Sequence, residues 1–105
     1  MRELANPIRD LFDAAVRQRN IRLTCHRCGH SAVLSAHALW WLCEREGWRM
    51  VLAHVARRCV CSQCLTKSRR PVRSPRLEAV HAPPTDDSLP LPPESEWKRQ
   101  LRRRR

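Results

Sequence analysis

Two pairs of closely spaced cysteines constrain the fold of this chain more than any other feature. The first pair is Cys25 and Cys28, the second is Cys61 and Cys64, and 32 residues separate the pairs. A CxxC loop turns both of its sulfurs toward one point, and two such loops supply the four soft ligands that tetrahedral Zn²⁺ favours. The spacing therefore predicts one zinc site made of these four thiolates. Because four sulfurs leave no open position for water or substrate, the expected role is structural.

The length of the chain makes a structural metal important. With 105 residues there is room for one small domain. The free energy gained by burying a hydrophobic core of that size is nearly cancelled by the conformational entropy that the chain loses on folding. Structural zinc contributes on the order of 10 kcal/mol of apparent free energy at neutral pH. We therefore expect the folding of residues 21–66 to depend on the metal.

The remaining cysteines and the nearby histidines are alternative ligands. Cys43 and Cys59 fall at helical core spacing, which favours buried thiols. An interpretation of Cys59 as a redox or zinc sensor stays open. His26 and His30 flank the first pair and compete with its sulfurs as imidazole ligands.

Three segments follow from local patterns. Residues 1–20 are interpreted as an amphipathic helical segment, with Asn6 as the N-cap of a helix over 7–19 and an apolar stripe on one face. Residues 21–72 form the predicted zinc-ribbon domain, in which 21–24 and 31–34 pair as a hairpin around the first CxxC. The segment from residue 73 to 105 is proline-rich and basic and is predicted to be disordered. Seven of the eight prolines in the whole chain lie after residue 70.

The insertion at 35–58 between the two pairs is helical in pattern. Ser35 caps a predicted helix over 36–46 that Gly47 ends, and a second helix is predicted over 51–58. Its three tryptophans are interpreted as core residues, with at least one expected to be exposed and available for stacking or docking. These are Trp40, Trp41 and Trp48. The predicted fold is a small α+β domain with zinc ribbon-like hairpins and a two-helix insertion.

The residues from 21 to 70 resemble a group of small zinc-ribbon proteins from alphaproteobacteria. The likeness is carried by Cys25-His26-Arg27-Cys28-Gly29-His30, by a leucine-bearing helix, and by the run from Val55 to Cys64. It implies a structural zinc and a two-loop ribbon, and it carries no activity with it. The chain differs from that pattern at Leu65, where the second loop of such proteins has glycine.

Function is argued from charge, because the sequence shows no enzyme motif. There are no paired carboxylates at suggestive spacing, and two glycines leave no phosphate loop, so neither catalysis nor a small-molecule substrate is expected. The net charge of +11 favours acidic partners, nucleic acid first. The candidate phosphate contacts are Arg22, Arg27, Arg57, Arg58, Lys67, Arg69, Arg70 and Arg73.

A protein-interaction adaptor is the second hypothesis. It would use the apolar face of residues 8–16, an exposed tryptophan or the proline-rich tail to bind a protein partner. For either function we expect a cytoplasmic protein without membrane insertion, because no apolar run reaches the length of a signal peptide or a membrane span. In a reducing compartment the cysteines are thiols or metal ligands rather than disulfides.

Overall fold

A three-stranded antiparallel sheet and five helices make up residues 7–103, the part of the chain that the computed structural model describes. The helices are α1 (Leu11–Val16), α2 (Ala36–Glu46), α3 (Leu52–Ala56), α4 (Ser62–Ser68) and α5 (Glu94–Arg103). The strands are β1 (Asn20–Thr24), β2 (Ser31–Leu34) and β3 (Arg76–Val80). The predicted α+β class is confirmed. The N-terminal helix is shorter than the predicted span of 7–19, because it begins at Leu11 with Asp10 as its N-cap, and Asn6 lies outside the described residues.

The strand β1 lies at the centre of the sheet, in the order β2-β1-β3. Its hairpin with β2 runs from the pair Ile21 and Leu34 to the pair Thr24 and Ser31, as the alternating pattern predicts. The third strand is added on the other side of β1, where Arg76 lies opposite Thr24. Each cysteine pair with its loop is called a knuckle below. The strand β2, which follows the first knuckle, and the strand β3, which follows the second, are thus both paired with one short strand.

The helix α2 has the ends that its sequence predicts. The Ser35 side chain accepts a hydrogen bond from the backbone N–H of Ala38 at 3.2 Å, which satisfies one of the first-turn donors. Gly47 ends the helix in the left-handed conformation with φ of 72°, which costs little without a Cβ. The next helix, α3, is shorter than predicted and begins at Leu52 instead of residue 51.

The core forms where α1, α2, α3 and β1 meet. Its buried members are Leu11, Ala14, Ala15, Ile21, Ala36, Leu39, Trp40, Cys43 and Val55. Trp40 is completely buried, while Trp41 and Trp48 are partly buried and pack against the same cluster. The interpretation of the three tryptophans as core residues is therefore confirmed, and the expected exposed indole is not found among them.

The segment predicted to be disordered from residue 73 onward contains β3 and α5, so that prediction is wrong for these elements. Trp97 of α5 packs on the core, with its ring centroid 5.0 Å from that of Trp40 and 5.3 Å from that of Phe12. Acidic residues in the first turn of α5 and arginines in its last turn complement the helix dipole. No helix within residues 7–103 is long and apolar enough to cross a membrane.

Candidate metal centre

The first cysteine pair lies in the loop that joins β1 to β2. Cys25 follows the last residue of β1, and its backbone N–H donates to the carbonyl oxygen of His30 at 2.9 Å. Gly29 donates to the carbonyl oxygen of Cys25 at 3.0 Å and has a φ of 79°, a conformation that favours glycine. This closed turn directs the sulfurs of Cys25 and Cys28 to one side.

The second pair lies at the start of a helix. Cys61 is the N-cap of α4, and its sulfur accepts a hydrogen bond from the backbone N–H of Cys64 at 3.4 Å. A ribbon with two hairpin loops is therefore not what the structure shows, because only the first pair sits on a hairpin. A helix needs no glycine after its first turn, which explains why Leu65 stands after Cys64.

The four sulfurs predicted as ligands meet at one point. All lie within 4.8 Å of one another, with 3.7 Å between the sulfurs of Cys25 and Cys64 and 3.6 Å between those of Cys28 and Cys61. Four sulfurs placed at the usual Zn–S distance on a regular tetrahedron are about 3.8 Å apart. The observed spacings fit a single zinc ion, and the prediction that these residues come together is confirmed.

Backbone N–H groups surround the sulfurs and favour their charged form. Those of Cys28 and Arg27 donate to Sγ of Cys25 at 3.5 and 3.4 Å, which lowers the pKa of this thiol to about 6. His30 donates its backbone N–H to Sγ of Cys28 at 3.4 Å. Burial raises the pKa of Cys64 in the absence of a cation, and coordination to one removes the proton of such a thiol. The donor set is therefore suited to a soft divalent cation.

The competing ligands lie elsewhere. The Sγ of Cys59 donates to the carbonyl oxygen of Val55 at 3.4 Å, and Cys43 is a buried core thiol with a pKa raised to about 11 by burial. Nε2 of His26 lies 3.1 Å from the carbonyl oxygen of Arg73, a contact that requires Nε2 to carry the proton. None of these groups, nor His30, belongs to the sulfur cluster found within residues 7–103.

Three of the predicted phosphate contacts come together in a basic groove of about 630 Å³. The groove is lined by Trp48, Arg49, His54, Arg57, Arg58 and Arg73. Arg49 is not among the predicted contacts, although it directly follows Trp48 and precedes α3. Within the described part of the chain, no ion pair involves any of the four arginines.

The other candidate contacts are dispersed. Arg27 and Lys67 line a second hollow, of about 430 Å³, beside the sulfurs of Cys28 and Cys64. Arg22 is half-buried in the central strand, and Arg70 is exposed. Arg69 ends α4 with a φ of 58°, a left-handed conformation that glycine adopts more easily.

The basic groove is joined to the metal centre through the backbone. The N–H of Cys61 donates to the carbonyl oxygen of Val72 at 3.0 Å, and Val60 pairs with Arg73 in an isolated bridge. His26 of the first knuckle holds the carbonyl oxygen of the same arginine. The position of Arg73 is thus determined by both cysteine pairs.

The comparisons with known proteins assign no family. No family model, no curated protein and no solved structure matches this chain.

Proposed function

We propose that this protein is a non-enzymatic binding module in which structural zinc maintains a surface that contacts nucleic acid in the cytoplasm. The observation that carries the proposal is the convergence of four cysteine sulfurs within 4.8 Å of one another. Cys25, Cys28, Cys61 and Cys64 would hold the ion, which would link the hairpin to α4.

The basic groove supports nucleic acid as the partner. Four arginines line one concave surface without an acidic partner among the described residues, so their positive potentials add. Arginine also forms bidentate hydrogen bonds with phosphate. A polyanion that releases counterions on binding is the ligand that such a surface favours.

The adaptor hypothesis has less support. The apolar face of α1 contributes Leu11 and Ala15 to the core, and Phe12 packs against Trp97. The tryptophans also pack inward. Among the described residues of the proline-rich segment, Leu91 is a large apolar side chain that stays strongly exposed.

The zinc part of the proposal is tested by metal analysis of cysteine variants. The purified chain is expected to contain one zinc ion per molecule, and Cys61→Ser to lose it together with its helical circular dichroism signal. Cys43→Ser is the matched control, because Cys43 is buried in the core and lies outside the sulfur cluster. If Cys61→Ser retained a full complement of zinc, the assignment of the site would be wrong.

The nucleic-acid part is tested by the salt dependence of oligonucleotide binding. We expect affinity to fall steeply with salt, and each groove arginine changed to glutamine to reduce the slope of the log–log plot by about 0.7 to 0.9. Arg57 and Arg73 are suitable positions, with exposed Arg76 on β3, outside the lining of the groove, as the control. Binding that is absent, or that does not change with salt, would refute this function.

A further inference from the structure

We infer that the basic groove takes single-stranded nucleic acid, with an unpaired base stacked on the guanidinium of Arg58. The inference rests on the proposed function, since it names the form of nucleic acid that the same groove binds. Three features of the groove lead to it: a cation–π pair, an arrangement of unpaired arginines, and a concave shape.

The cation–π pair consists of Arg58 and Trp48. The guanidinium carbon of Arg58 lies over the indole ring, 4.6 Å from the ring centroid. Trp48 is partly buried against the core, while Arg58 is exposed and lines the groove. Unpaired bases stack on aromatic rings and on guanidinium planes. The indole therefore holds the guanidinium from one side, and the exposed Arg58 side chain remains accessible to a base.

The unpaired arginines come from three separate segments around this pair. Arg49 follows α2, Arg57 follows α3, and Arg73 lies beyond α4, next to the second knuckle. A base stacked on Arg58 is connected to a phosphate on either side. The arrangement provides cations for both flanking phosphates. A strand has a phosphate on each side of the base, whereas an isolated charged group does not.

The concave shape disfavours a duplex. Proteins that read duplex DNA commonly insert a helix or a β-ribbon into the major groove. Here the four arginines surround a depression at the C-terminal ends of α2 and α3, and none of them lies within a helix that could enter the major groove. A duplex also keeps the faces of its bases inside its own stack, so it cannot use the guanidinium plane. A flexible strand reaches both the plane and the charges.

The experiment compares a fluorescein-labelled strand of about eight nucleotides with the same sequence as a duplex. Binding to the zinc-loaded, full-length chain is followed by fluorescence anisotropy. We expect the single strand to bind at least about tenfold more tightly than the duplex. The test variant is Arg58→Lys, which keeps the charge and removes the plane, and it is expected to weaken single-strand binding about fivefold or more.

The matched control is Arg57→Lys, since this arginine lines the same groove without stacking on Trp48 in the structure. It is expected to weaken single-strand binding less than Arg58→Lys does, because it keeps the charge and alters only the bidentate geometry of a phosphate contact. Zinc content and far-ultraviolet circular dichroism establish that both variants are folded. A larger loss for Arg58→Lys than for Arg57→Lys supports a stacked base.

The remaining outcomes separate this inference from the proposed function. Equal binding of strand and duplex, with equal effects of the two substitutions, would overturn the inference and leave nucleic-acid binding in place. Failure to bind either form would overturn both. The last competitor tested is a free nucleoside monophosphate. If it displaced the strand at concentrations comparable to the strand's own Kd, the ligand would be a single nucleotide. The inference would then be wrong.

Discussion

Replacement of Trp97 by alanine tests whether α5 is part of the folded domain. The Trp97 ring lies between three others, with centroid distances of 4.6 Å to His37, 5.0 Å to Trp40 and 5.3 Å to Phe12. Truncation of a buried aromatic residue to alanine costs about 3 to 5 kcal/mol. Because Trp97 is only partly buried, we expect Trp97→Ala to destabilise the fold by about 3 kcal/mol.

That loss is measured by thermal unfolding at a fixed concentration of free zinc. In a domain of this size 1 kcal/mol corresponds to about 4 to 8 °C in Tm, so the expected decrease is about 12 to 24 °C. Free zinc is buffered because metal binding itself adds to the apparent stability. Circular dichroism at 222 nm follows the helices.

The control for this experiment is Leu91→Ala in the same segment. Leu91 is 66% exposed, and its loss is expected to change stability by no more than about 0.5 kcal/mol. If Trp97→Ala and Leu91→Ala lowered Tm equally little, α5 would not be docked, and the original prediction of a disordered tail would be correct.

Three further predictions concern buried or strained positions. Burial lowers the pKa of His37 from 6.5, so below about that pH the unfolded chain binds more protons than the folded chain and the free energy of unfolding falls. When urea unfolding is repeated from about pH 7.5 to about pH 5.5, His37→Gln should therefore lose less stability than the native chain. Parallel losses for the two proteins would contradict this. Cys43, with its pKa raised to about 11, should resist alkylation at about pH 8 until the protein is denatured, as mass spectrometry would show; rapid labelling of the folded chain would contradict its burial. Gly47→Ala should cost about 1 kcal/mol from its left-handed backbone alone, because an added Cβ meets nothing within 4 Å; an unchanged urea midpoint would argue against the strain.

The sequence predicted the elements whose signals are local. The hairpin follows from alternation on both sides of a glycine turn, and α2 follows from the Ser35 cap and the Gly47 end. The four ligand candidates were found because a CxxC pair is a short pattern with a single geometric purpose. Each of these signals lies within a short stretch of neighbouring residues.

The elements that were missed depend on distant contacts. The strand β3 exists because β1 offers a free edge, and its partner residues are more than 50 positions earlier in the chain. For α5, the proline-rich composition of the segment indicated disorder. The signal for a helix is the apolar pair of Trp97 and Leu101, one helical turn apart after Pro93, and the composition outweighed it. The groove arginines were listed with the dispersed ones because sequence spacing does not show which side chains share a concave surface.

The central position of β1 has a consequence for synthesis on the ribosome. This strand leaves the exit tunnel early, but one of its two neighbours and half of the sulfur ligands are translated much later. The nascent chain therefore holds two cysteines without their partner ligands until residue 64 is translated, and an unpaired strand edge until residue 80 is translated. Completion of the sulfur cluster and of the sheet therefore depends on residues that are synthesised well after β1.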